Sequence, residues 1–202
     1  MLGEPVTYRA GVRAPAGARA SDADPITTEV IRHGLNSAAN QMKRALVRTS
    51  FSPVIYEVLD FAAVLYDTEY RMLSQAPSLP GFMGTMSFCV EGAVQAVGGV
   101  EALDEGDRIL INDPYVTGSH PADAAIVQPV MVDGELVGFA AIKAHWMDIG
   151  AKAPYCTDTT DVFQEGTIFP GVKLYRRGVR QEDIVAIARA NSRMPVYVLG
   201  DI

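Results

Sequence analysis

A chain of 202 residues, 49% apolar and 20% charged, is long enough for one globular domain with a substantial core. Its formal charge of -7, with lysines and arginines scattered rather than striped along one face, excludes the basic surface that nucleic acid requires. No apolar run approaches the ~18 residues needed to cross a bilayer. Two cysteines, Cys89 and Cys156, are too few for a disulfide framework, so a reducing, cytoplasmic setting without a membrane partner is expected.

Residues 1–23 carry Gly3, Pro5, Gly11, Pro15 and Gly17 without helical or strand periodicity, and read as a flexible leader to a single domain over 24–202. At Asp24 the pattern changes. Asp24 suits an N-cap and Pro25 the first helical position, and Ile26, Val30, Ile31, Leu35, Met42 and Leu46 recur at one or two turns, predicting a helix to about Arg48. Phe61 to Tyr66 is a short apolar run between aspartates and predicts a buried strand, with Arg71 to Ser74 pairing back across a turn.

After a prolyl loop, Met83 to Val97 reads as a second helix despite its glycines. Arg108 to Ile111 reads as a strand ending at Asn112-Asp113-Pro114, because proline removes a ladder donor; a loop is expected to follow. Ile126 to Val132 and Glu135 to Ala144 flank Asp133-Gly134, the strongest short-range hairpin signal available. Residues 146–170 look loop-rich, Val172 to Tyr175 forms a short strand, and Glu182 to Ala190 a last helix. The order of elements favours an α+β fold: a mixed sheet with a central β-hairpin and flanking helices.

Of three histidines, two are followed three residues later by aspartate, in His120-Pro121-Ala122-Asp123 and His145-Trp146-Met147-Asp148. His120 and Asp123 fall in the loop opening the hairpin and His145 at its close. In an antiparallel ribbon the start of one strand lies beside the end of the other, so these residues can meet. Two imidazoles and a carboxylate are the three-ligand set of a catalytic metal site, and the nitrogen and oxygen mix permits zinc, manganese or iron. The competing reading makes His120 a solvated loop residue and His145 a core histidine.

Asp60, heading a buried strand, is either a further ligand or a turn acid. Asp148 is either a hydrogen-bond acceptor for His145 or a turn residue before Gly150. Glu165 is a general acid or base if it folds over the site, and otherwise a surface residue. Cys156 has no histidine near it in sequence and reads as a plain loop thiol rather than a nucleophile. His33, mid-helix, reads as packed or solvated, and the helix start at Gly81 to Thr85 as an anion site only in the less common case.

Several ordered blocks together carry a likeness. Asp24-Pro25-Ile26-Thr27-Thr28-Glu29-Val30, Asn112-Asp113-Pro114-Tyr115 leading to Gly118-Ser119-His120 and Asp123, Ala144-His145-Trp146-Met147-Asp148-Ile149-Gly150, Gln164-Glu165-Gly166 and Gly200-Asp201 resemble the hydantoinase B / oxoprolinase family from about Asp24 to Ile202. The resemblance implies a metal-binding B-type subunit, within a hetero-oligomer, that works with a hydantoinase A-type partner. The partner binds ATP and phosphorylates a small-molecule substrate. The B-type subunit then opens a cyclic amide or, in acetone and acetophenone carboxylases, joins carboxylate to a ketone.

On that likeness the metal ligands are His120, Asp123 and His145, with Asp60 as an additional one, while Asp148 and Glu165 match catalytic motif positions. Two departures accompany it. Phe82 stands where many hydrolase-type members have a histidine, which keeps the carboxylase reading in play. Family B subunits are usually more than twice as long, so an N-terminal portion is expected, and a truncated assembly module without chemistry is a third reading.

Overall fold

The computed structural model describes residues 24–202, and the leader expected over residues 1–23 lies outside them. Helix α1 spans Pro25–Thr49, with the Asp24 carboxylate accepting from the Thr27 N–H at 3.1 Å as expected of an N-cap. Only its second half packs. Ala39, Met42 and Leu46 lie against the sheet, whereas Ile26, Val30 and Ile31 stay exposed. Ser50 to Pro53 break the helix, and a single turn, α2 (Pro53–Tyr56), leads into β1 (Phe61–Tyr66). β2 (Met72–Gln75) folds back on β1 one residue later than the sequence suggests.

The expected helix over Met83 to Val97 is α3 (Met86–Ala96). It starts later because Pro80–Phe82 forms a 3-10 turn. β3 (Arg108–Ile111) is as predicted, but the loop after it begins with a helical turn, α4 (Pro114–Thr117). The proline that ends the strand also starts this turn: Asp113 accepts from the Tyr115 N–H at 3.0 Å, and proline needs no such partner. β4 (Asp123–Val132) and β5 (Glu135–His145) form the central hairpin, and Asp133 and Gly134 both have positive φ, 52° and 83°, as a type I′ turn demands. The hairpin is longer than predicted at the end away from its turn, so Asp123 is a strand residue rather than a loop residue, while His145 closes β5 as expected. β6 (Pro170–Arg176), β7 (Val179–Arg180), α5 (Glu182–Ala190) and α6 (Pro195–Asp201) complete the chain.

The seven strands run in the order β2-β1-β5-β4-β3-β6-β7, and every ladder is antiparallel. The α+β class and the central hairpin stand as expected, with no parallel pair among the described residues. Alternation along the strands assigns each residue to one of two faces. One face, with Val64, Ile109, Ile111, Val127 and Phe139, is covered by Met86, Val90 and Val94 of α3. On the other, α1 and α2 cover β1 and the end of β5, while α5 and α6 close over Leu110, Ala124 and Leu174. Asp107 ties the start of β3 to the β6–β7 turn, with Lys173 Nζ 2.5 Å from its carboxylate and the Arg177 N–H donating at 2.9 Å.

The β1–β5 ladder fixes Asp60 beside His145, and Gly138 allows that ladder to close: a Cβ there would lie 2.2 Å from the Tyr66 carbonyl oxygen. Gly138→Ala is expected to destabilise the fold by about 1–3 kcal/mol, the usual range for overpacking against backbone, read as a lower urea midpoint with an unchanged slope.

Candidate metal centre

Three strands end together at one edge of the sheet, and acid and imidazole groups gather there. Asp123 opens β4, His145 closes β5, and the ladder pairs the two directly. Asp60 immediately precedes β1, whose Phe61 pairs with Ala144, and the His145 N–H donates to the Asp60 carbonyl at 3.1 Å. By alternation Asp60, Asp123 and His145 share the α3 face with Ala62, Ala125 and Lys143.

His120 sits in the loop between α4 and β4, where its carbonyl accepts from the Asp123 N–H at 3.0 Å. That loop is held from both sides. The fully buried Asn112 donates to the carbonyls of Pro121 and Thr167 at 2.7 and 2.9 Å and accepts from the Phe169 N–H at 2.5 Å. Buried Lys143 donates to the Thr117 carbonyl at 2.8 Å, and burial pushes its ammonium pKa down. Gly118, at φ 68°, turns the chain off α4 where a Cβ would meet the Thr85 methyl at 2.7 Å.

The result brings together the four residues singled out as ligands. Asp123 Oδ1 lies 3.1 Å from His145 Nδ1 and 3.3 Å from His120 Nε2, and Asp60 Oδ2 lies 3.9 Å from His145 Nδ1. Donor atoms of His120, Asp123 and His145 all fall within 4.8 Å of one another. Asp123 and His145 are buried, and half-exposed His120 faces a cavity of about 330 Å³ also lined by Asp60, Tyr155, Cys156 and Glu165.

Does this donor set suit a cation? Among the described residues only imidazoles pair with the carboxylates of Asp60 and Asp123, and Asp60 Oδ1 and His145 Nε2 are buried without hydrogen-bond partners. Burial pushes the Asp60 carboxyl up; His145 and His120 oppose that push and Asp123 adds to it. A buried carboxylate at Asp123 and a partly buried one at Asp60, both beside His145, are costly without a counter-charge. A divalent cation with mixed nitrogen and oxygen ligands, open on the cavity side, is the counter-charge this geometry fits.

Asp148 is not hydrogen-bonded to His145. Its fully buried carboxylate accepts from Arg193 Nε at 3.0 Å, Arg193 Nη2 at 2.5 Å, the Arg193 backbone N–H at 2.6 Å and the Gly150 N–H at 3.1 Å. Burial raises its pKa, but the Arg193 and Gly150 hydrogen bonds outweigh burial and hold it below the usual carboxylate range. Glu165, in a 3-10 turn over Val162–Glu165, lines the cavity and accepts from Thr159 Oγ1 at 3.0 Å. Cys156 also lines the cavity, while His33 lies on the exposed half of α1 beside Glu29. At Gly81 to Thr85, Thr85 Oγ1 donates to the Phe82 carbonyl.

Sequence reasoning passed over three residues that shape the site. Tyr155 places its ring centroid 4.9 Å from that of His145, with φ 53°, a conformation no local motif announces. Asn112 reads in the sequence only as a strand end and part of the likeness, although a polar residue ending a buried strand needs internal partners. Arg193 follows Asp148 by 45 positions, and nothing in either neighbourhood links them.

With this geometry in place, comparison with known proteins is informative. The profile of the Hydantoinase B/oxoprolinase family matches residues 24–202, and the chain belongs to that family. It is 35% identical over 183 residues to the caprolactamase subunit beta of Pseudomonas jessenii, covering 89% of this chain and 31% of that one. It is 33% identical over 175 residues to the 5-oxoprolinase of Dictyostelium discoideum, covering 86% and 14%. The crystal structure of the ATP-dependent caprolactamase from Pseudomonas jessenii superposes with a TM-score of 0.76 at 34% identity, over 89% of this chain and 31% of that one. A nucleotide-free acetone carboxylase structure superposes with a TM-score of 0.78 at 21% identity, over 88% and 24%, a likeness of fold. The chain thus spans about a third or less of the length of these relatives.

The Asp148 ion pair has a pH signature. A carboxylate with a depressed folded pKa contributes stability that is present above its unfolded value, about 4, and lost as pH falls through the lower folded value. Asp148→Asn is therefore expected to unfold at lower urea than wild type at pH 7, with the gap narrowing steadily below about pH 4. Urea midpoints compared across pH 7 to 3 check this, and a constant gap would contradict it.

Proposed function

We propose that this chain carries the metal-binding centre of a B-type subunit in an ATP-dependent enzyme that opens cyclic amides. ATP is bound and spent on a hydantoinase A-type partner within a cytoplasmic hetero-oligomer. The observation carrying this reading is the convergence of His120, Asp123 and His145 on one point at the end of the central hairpin. The family match and the likeness to a caprolactamase subunit and a 5-oxoprolinase support the substrate class.

In this reading His120, Asp123, His145 and Asp60 hold the ion. A divalent zinc, manganese or iron bound there supplies Lewis-acid polarisation of a substrate oxygen, or a water whose pKa is lowered. The chain's own groups do the rest. Glu165, on the cavity wall, is placed to accept or return a proton at the amide being cleaved. The fully paired Asp148 supports the wall rather than meeting the substrate. Tyr155 and Thr159 narrow the cavity around a small ring.

A second reading, carboxylation of an activated ketone, is favoured by Phe82. This residue is buried in the α3-face core with Lys143 Nζ 5.3 Å from its ring centroid, and so offers no imidazole to the site.

Elemental analysis of the purified chain should find about one transition-metal ion per molecule in wild type and less than about a tenth of that in His120→Ala and His145→Ala, since each removes one of the two imidazole ligands. Circular dichroism shows whether the variants fold, and folded wild type without metal removes the mechanism in favour of an assembly module. With an ATP-binding partner, ATP turnover that depends on a lactam and yields the ring-opened acid supports the amide reading. Turnover that depends on a ketone and bicarbonate would replace it with the carboxylase reading.

A further inference from the structure

His145 is followed by a turn that decides what stands over the metal centre. Residues 146–150 leave β5 and pass beneath the α5–α6 linker. The chain then climbs through Ala151 and Lys152 to Tyr155 and Cys156 on the cavity wall. The foot of this wall is held in several places. Trp146 N–H donates to the Ala122 carbonyl at 2.8 Å, Lys152 N–H to the Gln164 carbonyl at 2.7 Å, and Thr167 N–H to the Ile149 carbonyl at 2.8 Å. The last two join the wall to the turn that presents Glu165. Residues 153–157 contain a local turn at 154–155 but, among the described residues, no hydrogen bond ties them to another segment, so Tyr155, packed on the His145 ring, follows what fixes 148–152.

What fixes 148–152 is Arg193. Its backbone N–H, Nε and Nη2 all donate to the Asp148 carboxylate, while Nη2 reaches the Ala151 carbonyl at 2.8 Å and Nη1 the Lys152 carbonyl at 3.4 Å. Guanidinium geometry suits this task, because a planar fork can grip a carboxylate and still offer N–H groups to two carbonyls, which an ammonium cannot match. The approach is close enough that Gly150, at φ 84°, would put a Cβ 2.5 Å from the Asn191 carbonyl oxygen. Asp148 contributes no exposed surface, so the pair is committed to this one arrangement.

We infer that Arg193 is a positioning residue of the metal centre: by clamping Asp148, Ala151 and Lys152 it sets Tyr155 and Glu165 against the cavity beside His145. The inference rests on the proposed function for its chemistry, but the mechanical part stands on the hydrogen bonds alone. Arg193 touches neither the donor atoms nor the cavity, so its loss leaves ion binding intact and misplaces the wall.

The test uses Arg193→Gln and Arg193→Lys, with Asp148→Asn/Arg193→Gln as a variant that leaves no unpaired buried charge should the first fail to fold. Hydrogen exchange is expected to rise at least about tenfold at amides 149–157 in Arg193→Gln, with α3 unchanged, as for a local rather than global opening. Metal per chain should equal wild type. In the enzyme assembled with its ATP-binding partner, kcat/KM should fall roughly 10- to 100-fold, the scale of a misplaced substrate contact, with partial recovery in Arg193→Lys. Unchanged exchange at 149–157 overturns the clamp, and raised exchange with unchanged kcat/KM overturns its functional role. Wild type without metal would instead sink the proposed function, while the exchange arm still reports on Arg193.

Discussion

The site depends on one cross-strand pair. Because Asp123 and His145 oppose each other at the open end of the β4–β5 hairpin, the register of that ladder sets the distance between a carboxylate and an imidazole without help from any loop. The β1–β5 ladder adds Asp60 by the same logic, and only His120 must be delivered by an irregular segment. That segment is accordingly the most heavily braced, with Asn112 and Lys143 both fully buried and both spent on main-chain carbonyls. Two strand ends, the residue entering a third strand and a braced loop hold the four groups, the preorganisation that the proposed cation site would need.

Buried charge is managed in two different ways within a few residues. Asp148 has its counter-charge inside the chain, in Arg193, and all its hydrogen-bonding capacity is directed to holding loops together. Asp60 and Asp123 have only imidazoles beside them and retain an unpartnered oxygen at Asp60. The contrast separates a supporting carboxylate from the proposed ligands more clearly than sequence spacing does, since His120-Asp123 and His145-Asp148 share one spacing. One aspartate turns toward its histidine and the other away.

Much of this arrangement was legible from the residues. The α1, β1, hairpin and α5 signals were long or periodic enough to read, and the hairpin alone placed His120 and Asp123 near His145. The single-turn helices α2 and α4 were not, because four residues cannot show a period, and α6 is seven residues long with a continuous apolar run that shows no stripe. Contacts between distant segments were invisible for another reason. Arg193 meets Asp148 from the α5–α6 linker, and Asn112 meets Thr167 where β3 ends and the chain enters its partner β6, and no local preference records either meeting. The exposed apolar start of α1 shows the limit of periodicity: the stripe is real, yet half of it faces solvent in this chain.

The tight Asp133-Gly134 turn has a consequence for how the family can vary in length. Strand parity means that inserting or deleting a single residue within β4 or β5 sends every side chain beyond that point to the opposite face. Such a change in β4 would carry the Asp123 carboxylate out of the centre, and one in β5 would carry out the His145 imidazole together with Lys143. Length variation in this part of the chain is therefore best absorbed near the reverse turn, a full strand's length from the chemistry, where the ladder already carries an irregularity between Val130 and Met131.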